Sequence, residues 1–134
     1  MKLHLSLSVN DFDASVAFYS RLFRLEPKVL KDGYAKWDVE EPPVNFAIEQ
    51  GAGTQGVDHL GIQADSDEEL DELASRVRES GQPFLDVERL DCCHARMDKA
   101  WVKGMADEKW EVFLTHRHDL EEYGETQGEA LSAL

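Results

Sequence analysis

A chain of 134 residues with 42% hydrophobic content, three Trp and six Phe can bury one compact core, or two small repeats that share one. Lys and Arg number 14 against 28 Asp and Glu, and the resulting net charge of −14 opposes contact with phosphate backbones and anionic membrane surfaces. Nucleic-acid and membrane partners are therefore not expected. No apolar run reaches membrane-spanning length and no signal-peptide pattern opens the chain, so a cytoplasmic location is expected.

Residues 3–9 alternate strictly, with Leu3, Leu5, Leu7 and Val9 facing one way and His4, Ser6 and Ser8 the other, which predicts a half-buried strand. A helix follows at about 12–23, where Phe12, Val16, Tyr19 and Phe23 recur at helical spacing and are expected to be buried. After Pro27 the pattern predicts short strands near 28–31, 33–39 and 44–49, broken by Lys31-Asp32-Gly33 and by Pro42-Pro43. Gly51 to Gly56 reads as a linker.

The pattern then restarts. Residues 57–64 predict a strand with Leu60, Ile62 and Ala64 on one side and His59, Gly61 and Gln63 on the other. Ser66 with Glu69 is a capping-box signal for a helix whose apolar face is Leu70, Leu73 and Val77, ended by Gly81 and Pro83. Strands are predicted near 84–89, 93–101 and 109–115. His4-Leu5-Ser6-Leu7 lies over His59-Leu60-Gly61-Ile62 at an offset of 55, and the same shift lays Ser20-Arg21 over Ser75-Arg76. Each half thus reads βαβββ. The expected organisation is one α+β domain over 1–116, with modules at about 1–50 and 57–116. An acidic tail, poor in large apolar residues, is expected over 117–134.

In each first strand the histidine lies opposite the leucines that pack under a helix. In the last strand Glu111 alternates with Trp110 and Val112 in the same sense. Two imidazoles and one carboxylate, His4, His59 and Glu111, form a donor set suited to one divalent ion: Fe(II), Mn(II), Zn(II) or Ni(II). The residue matching Glu111 in the first half is Asn45 or Ala47, depending on register, so no fourth protein ligand is expected. His116 and His118 form a His-x-His pair past the last strand, read as a solvated strand end; His94 carries no pattern of its own.

The paired βαβββ modules, with a strand-borne His in each and a late Glu, resemble the vicinal-oxygen-chelate superfamily of glyoxalases, extradiol dioxygenases and fosfomycin-resistance enzymes. The resemblance covers about residues 3–115, and Lys109-Trp110-Glu111-Val112-Phe113 looks like the superfamily's terminal metal-binding strand. It implies two βαβββ modules forming a curved mixed sheet around a metal held by His4, His59 and Glu111. Within the superfamily the chain is most similar to cadmium-induced proteins and carbon–arsenic lyases, through Phe18-Tyr19-Ser20-Arg21-Leu22-Phe23, Asp58-His59-Leu60-Gly61, Cys92-Cys93 and Asp98-Lys99-Ala100-Trp101-Val102. One departure is that many carbon–arsenic lyases carry Gln where this chain has His4.

The adjacent cysteines cannot tie together distant segments, but thiolates favour soft centres such as trivalent arsenic or cadmium. On a regular strand Cys92 and Cys93 point to opposite faces, so both reach one atom only from a loop or bulge. The resemblance implies an Fe(II)-dependent dioxygenase-like lyase in which Cys92 and Cys93 capture a trivalent organoarsenical while the triad binds iron and leaves sites open for dioxygen, so that the carbon–arsenic bond is cleaved. Two other readings stand beside it. One is a glyoxalase or thiol transferase of the same fold; the other is a cadmium- or arsenic-binding protein without turnover. Whether a site closes within one chain or across a homodimer is left open. Lys99 reads as a solvated strand lysine, with an anion-holding role as the alternative, and Trp37 and Trp101 as residues packed on the sheet.

Overall fold

Eight strands and two helices follow one another in the expected order: β1 (Lys2–Val9), α1 (Phe12–Phe23), β2 (Val29–Lys31), β3 (Tyr34–Val39), β4 (Val44–Gln50), β5 (Gly56–Ala64), α2 (Asp67–Glu79), β6 (Phe84–Asp91), β7 (His94–Lys103) and β8 (Lys109–Leu114). The computed structural model describes residues 1–51, 54–91 and 94–114, and only the backbone of 88–91 and 94–97. Cys92, Cys93, His116, His118 and the expected tail over 117–134 lie outside the described residues. The chain divides into two compact units, Lys2–Leu60 and Gly61 onward together with Met1, with the boundary inside β5. The α+β class with two βαβββ modules is as the sequence led one to expect.

In the first unit the strand order is β2-β3-β4-β1, with β1 parallel to β4 and the other pairs antiparallel. The alternation of β1 sends Leu5 and Leu7 under α1, where they join Val9, Ala35, Trp37, Phe46 and Ile48. Trp37 packs there as expected. On the opposite face the register builds two polar rows: His4 beside Asn45 beside Asp38, and Ser6 beside Ala47 beside Lys36. Five of these six side chains are buried, Asp38 being intermediate. The helix starts where Asp11 accepts a hydrogen bond from the Ala14 amide at 3.1 Å, and it stops where Arg24 turns left-handed at φ 51°. Gly33, at φ 76°, makes the sharp turn between β2 and β3 that the Lys31-Asp32-Gly33 break announced.

One expectation for α1 is corrected. Phe12, Val16, Tyr19 and Phe23 do pack against the sheet, but no residue of α1 is fully buried. Three of the four are broad aromatic groups standing on a surface that Trp37 and Phe46 already fill. Tyr19 and Phe23 lie with ring centroids 4.6 Å and 5.1 Å from Phe46. A ring seated along the seam covers the sheet while its outer edge stays at the surface. Phe18 and Leu22, 53% and 61% exposed, widen the apolar flank further.

The second unit has the order β5-β8-β7-β6, with β6–β7 and β7–β8 antiparallel and a bulge at Val87/Glu88. Here the helix is seated deeply. Leu70, Leu73, Ala74 and Val77 of α2 are buried against Ala64, Ala100, Val112 and Leu114. Small alanines on both layers let the backbones approach, which α1 with its aromatics does not allow. Ser66 accepts from the Glu69 amide at 3.2 Å, as the capping signal requires. The return bond from Glu69 goes to the Asp65 amide at 2.8 Å, one residue earlier than in the usual reciprocal box. Gly81, at φ 80°, follows the helix end.

Leu73→Ala is expected to cost about 2–5 kcal/mol in urea unfolding, because it empties part of the closely packed α2 seat. Leu22→Ala on the exposed flank of α1 should stay within about 0.5 kcal/mol of the parent. Equal losses would show that the two helices do not differ in how they are seated.

Candidate metal centre

In the first unit the sheet brings two of the expected ligands together. His4 is 1% exposed and His59 is 6% exposed. The His4 Nδ1–H donates to the backbone carbonyl of Asn45 at 3.1 Å, and the His59 Nδ1–H donates to the Asp58 carboxylate at 2.8 Å. Both acceptors lack a proton to give, so both rings are held with hydrogen on Nδ1. Their Nε2 atoms, which then carry the lone pairs, face each other at 3.0 Å. Of the two residues that could match Glu111 in this half, Asn45 is the one beside His4 in register.

In the second unit β8 places Val112 and Leu114 under α2, and Glu111 and Phe113 alternate to the other face. Glu111 is 0% exposed, and its Oε2 accepts a hydrogen bond from Lys99 Nζ at 3.0 Å. Lys99 is itself 3% exposed, which corrects its reading as a solvated strand lysine. The reason is positional: β7 lies between β6 and β8, and Lys99 stands beside Phe113 and diagonal to Glu111 on a buried face. An ammonium on a buried face needs a carboxylate. Trp101, directly beside Glu111 in register, is fully buried, in line with packing on the sheet.

A second buried lysine escaped the sequence reading. Lys36 lies on the His4 face of the first unit, 2% exposed, with Ala47 beside it in register. Burial lowers its ammonium from 10.5 to about 8; Lys28 pushes the same way, and Asp38 opposes them. Asp58 and the Asn45 carbonyl were missed as well. For Lys36 the only sequence signal is polar character on the non-helix side of an alternating strand, and for Asp58 it is position directly before His59. The Asn45 carbonyl is invisible even to that, since every residue has one.

Cys92 and Cys93 lie outside the described residues; the strands on either side end at Asp91 and begin at His94, which are paired. Among the described residues, then, the histidines meet in one unit and Glu111 is a buried carboxylate of the other. The donor types fit a divalent ion. Two nitrogens bound to one ion at about 2.1 Å stand about 3.0–3.4 Å apart for right-angle or tetrahedral arrangements, and the Nε2 pair falls in that range.

The residues 3–112 match the family described as the Glyoxalase/Bleomycin resistance protein/Dioxygenase superfamily. The chain is 36% identical over 115 residues to a trivalent organoarsenical cleaving enzyme of Thermomonospora curvata, covering 84% of this chain and 76% of that protein. It is 36% identical over 124 residues to the cadmium-induced protein CadI of Mycobacterium bovis, covering 92% and 81%. Among solved structures, the Mn(II)-bound glyoxalase from Novosphingobium aromaticivorans superimposes with a TM-score of 0.60 at 22% identity, over 83% of this chain and 37% of that one. That likeness concerns the fold. No helix among the described residues is long and apolar enough to cross a membrane.

Two outcomes follow from the buried charges. Lys99→Met should destabilise the metal-free protein by about 3–5 kcal/mol, because it removes the ammonium bonded to the buried Glu111 carboxylate, and Lys99→Met/Glu111→Leu together should recover most of that loss. Chemical unfolding of the three proteins checks it; a harmless single variant would show that the pair is solvated. For Lys36 the folded value lies below the unfolded one, so the unfolded chain binds more protons between about pH 8 and 10.5. Stability should therefore rise with pH across that window, by at most about 3 kcal/mol from this group. Lys36→Met should be more stable than the parent at pH 7 and should lose that rise.

Proposed function

The chain belongs to the Glyoxalase/Bleomycin resistance protein/Dioxygenase superfamily, and on that premise we propose that it is a metal-dependent enzyme, an Fe(II)-dependent dioxygenase-like lyase cleaving the carbon–arsenic bond of trivalent organoarsenicals. The observation that carries the metal half is the pair of buried imidazoles with both Nδ1 atoms committed and both Nε2 atoms aimed at one point. What supports the arsenic half is the adjacent thiol pair and 36% identity to a protein named for that reaction.

In this reading His4, His59 and Glu111 hold the ion, with the remaining coordination positions open. An Fe(II) ion there would supply redox chemistry and room for dioxygen, where Mn(II), Zn(II) or Ni(II) would fit the same donors. Cys92 and Cys93 capture the arsenic: two As–O bonds are exchanged for two As–S bonds, and two waters leave. Capture holds the organic group in place, converting a bimolecular encounter into an intramolecular one. The overall reaction balances without any further reductant. For methylarsenite, one dioxygen and one substrate give arsenous acid and formaldehyde, the carbon being oxidised by four electrons while arsenic stays trivalent. The substrate is a small molecule, and the charge of −14 argues against a nucleic-acid partner.

A second reading has its own observation, the 36% identity to a cadmium-induced protein. There the thiols sequester cadmium or arsenic and nothing turns over.

Protein purified and loaded with Fe(II) without oxygen, then mixed with methylarsenite with and without air, tests both. Multiple equivalents of arsenous acid are expected in air and none without it. Cys92→Ser and Cys93→Ser should keep iron and lose arsenic capture; Glu111→Ala should keep arsenic and lose iron and turnover. Full turnover by a variant lacking both thiols would overturn the choice of substrate. Oxygen-independent conversion of another substrate would point to a glyoxalase or thiol transferase, and one bound arsenic per chain with no product would favour sequestration.

A further inference from the structure

The two histidines are chemically unequal. His4 gives its Nδ1 proton to a backbone carbonyl, a neutral acceptor, whereas His59 gives its proton to the Asp58 carboxylate at 2.8 Å. The His59 ring is buried, and the side chain of Asp58 is only partly covered, at 34% exposed. The carboxylate therefore lies at the edge of solvent while it bonds a ring in a buried environment. An anionic acceptor on Nδ1 draws that proton towards itself and raises electron density at Nε2, making the ring a stronger donor than an imidazole on a carbonyl.

From this geometry we infer that Asp58 is a positioning residue for the metal centre, which fixes the orientation and Nδ1–H form of His59 and makes His59 the dominant metal anchor, with His4 the weaker partner. The inference rests on the metal half of the proposed function and not on the arsenic half. Asp58 precedes His59 directly. On a strand, neighbours normally point to opposite faces, and here the Asp58 carboxylate nevertheless reaches the His59 ring at 2.8 Å.

Metal binding without turnover tests the role. Full-length protein and the Asp58→Asn and Asp58→Ala variants are titrated with Co(II) alone, and the Fe(III)/Fe(II) potential of each iron-loaded form is measured. Thermal unfolding of the metal-free proteins serves as the control. Asp58→Ala should bind Co(II) about 10–100-fold more weakly, with altered cobalt absorption bands. Asp58→Asn keeps an acceptor oxygen but not the charge, so it should keep the bands, lose a smaller factor in affinity and shift the potential to more positive values. Wild-type affinity and potential in Asp58→Ala would overturn the assignment while leaving the metal site intact. A wild-type chain that does not bind Co(II) or Fe(II) would overturn the metal reading, and Asp58's role with it. Weakened binding that only tracks lost thermal stability, with the potential unmoved in Asp58→Asn, would show Asp58 to be structural.

Discussion

Two imidazole nitrogens that face each other at 3.0 Å, each with its other nitrogen already donating, place two lone pairs on one point in a buried environment. Lone pairs repel at that distance, and water has little access to screen them. That arrangement suits a cation between the rings, which is why the pair reads as half of a metal centre. Everything nearby works to keep the rings in that relation. The Asn45 carbonyl holds one Nδ1 because β1 runs parallel to β4 with His4 beside Asn45, and Asp58 holds the other because it precedes His59. A one-residue slip of β1 against β4 would turn His4 into the α1 core and send Leu5 into the polar face.

The cost of such a site is borne by the two faces of the strands. Helices cover one face of each unit with apolar side chains, so the other is free to be polar, yet it is also buried: His4, Ser6, Lys36 and Asn45 in the first unit, Lys99 and Glu111 in the second. Buried polar groups destabilise a fold unless they are satisfied. Glu111 and Lys99 meet that demand within their own unit. Burial of Lys36 instead lowers its ammonium. Stability is supplied elsewhere, above all by the small-residue seat of α2.

Period-two alternation and the offset-55 repeat made the fold legible, because strand faces and helix seats are set by local pattern. His4, His59 and Glu111 were legible as buried, non-helix-side residues for the same reason. Lys99 was not. In one dimension a lysine on a strand looks solvated, and its burial shows only once its face of the sheet is seen to be buried, with Phe113 beside it and Glu111 diagonal to it. The depth of α1 was misjudged because helical spacing reports which side faces the sheet and not how closely large rings can seat there. The Asn45 carbonyl could not be read from any side chain.

Donor softness gives the proposed chemistry its internal order. Imidazole nitrogen and carboxylate oxygen are borderline and hard donors, suited to Fe(II) or Mn(II), while thiolate sulfur is soft and prefers arsenic(III) or cadmium. Were one cysteine among the metal ligands, a thiophilic substrate would compete with iron for it, and capture would poison the centre. Holding the ion by nitrogen and oxygen alone, with both sulfurs kept for the substrate, lets the two occupants choose their places by chemistry. The same division explains how closely similar chains can be associated with arsenic in one case and with cadmium in another: both are thiophilic centres that a thiol pair would take. In the proposed scheme, what separates cleavage from storage is then whether the nitrogen–oxygen set carries a redox-active ion. In that scheme Asp58 and Lys99, which hydrogen-bond His59 and Glu111, would act on the ligands without being ligands themselves.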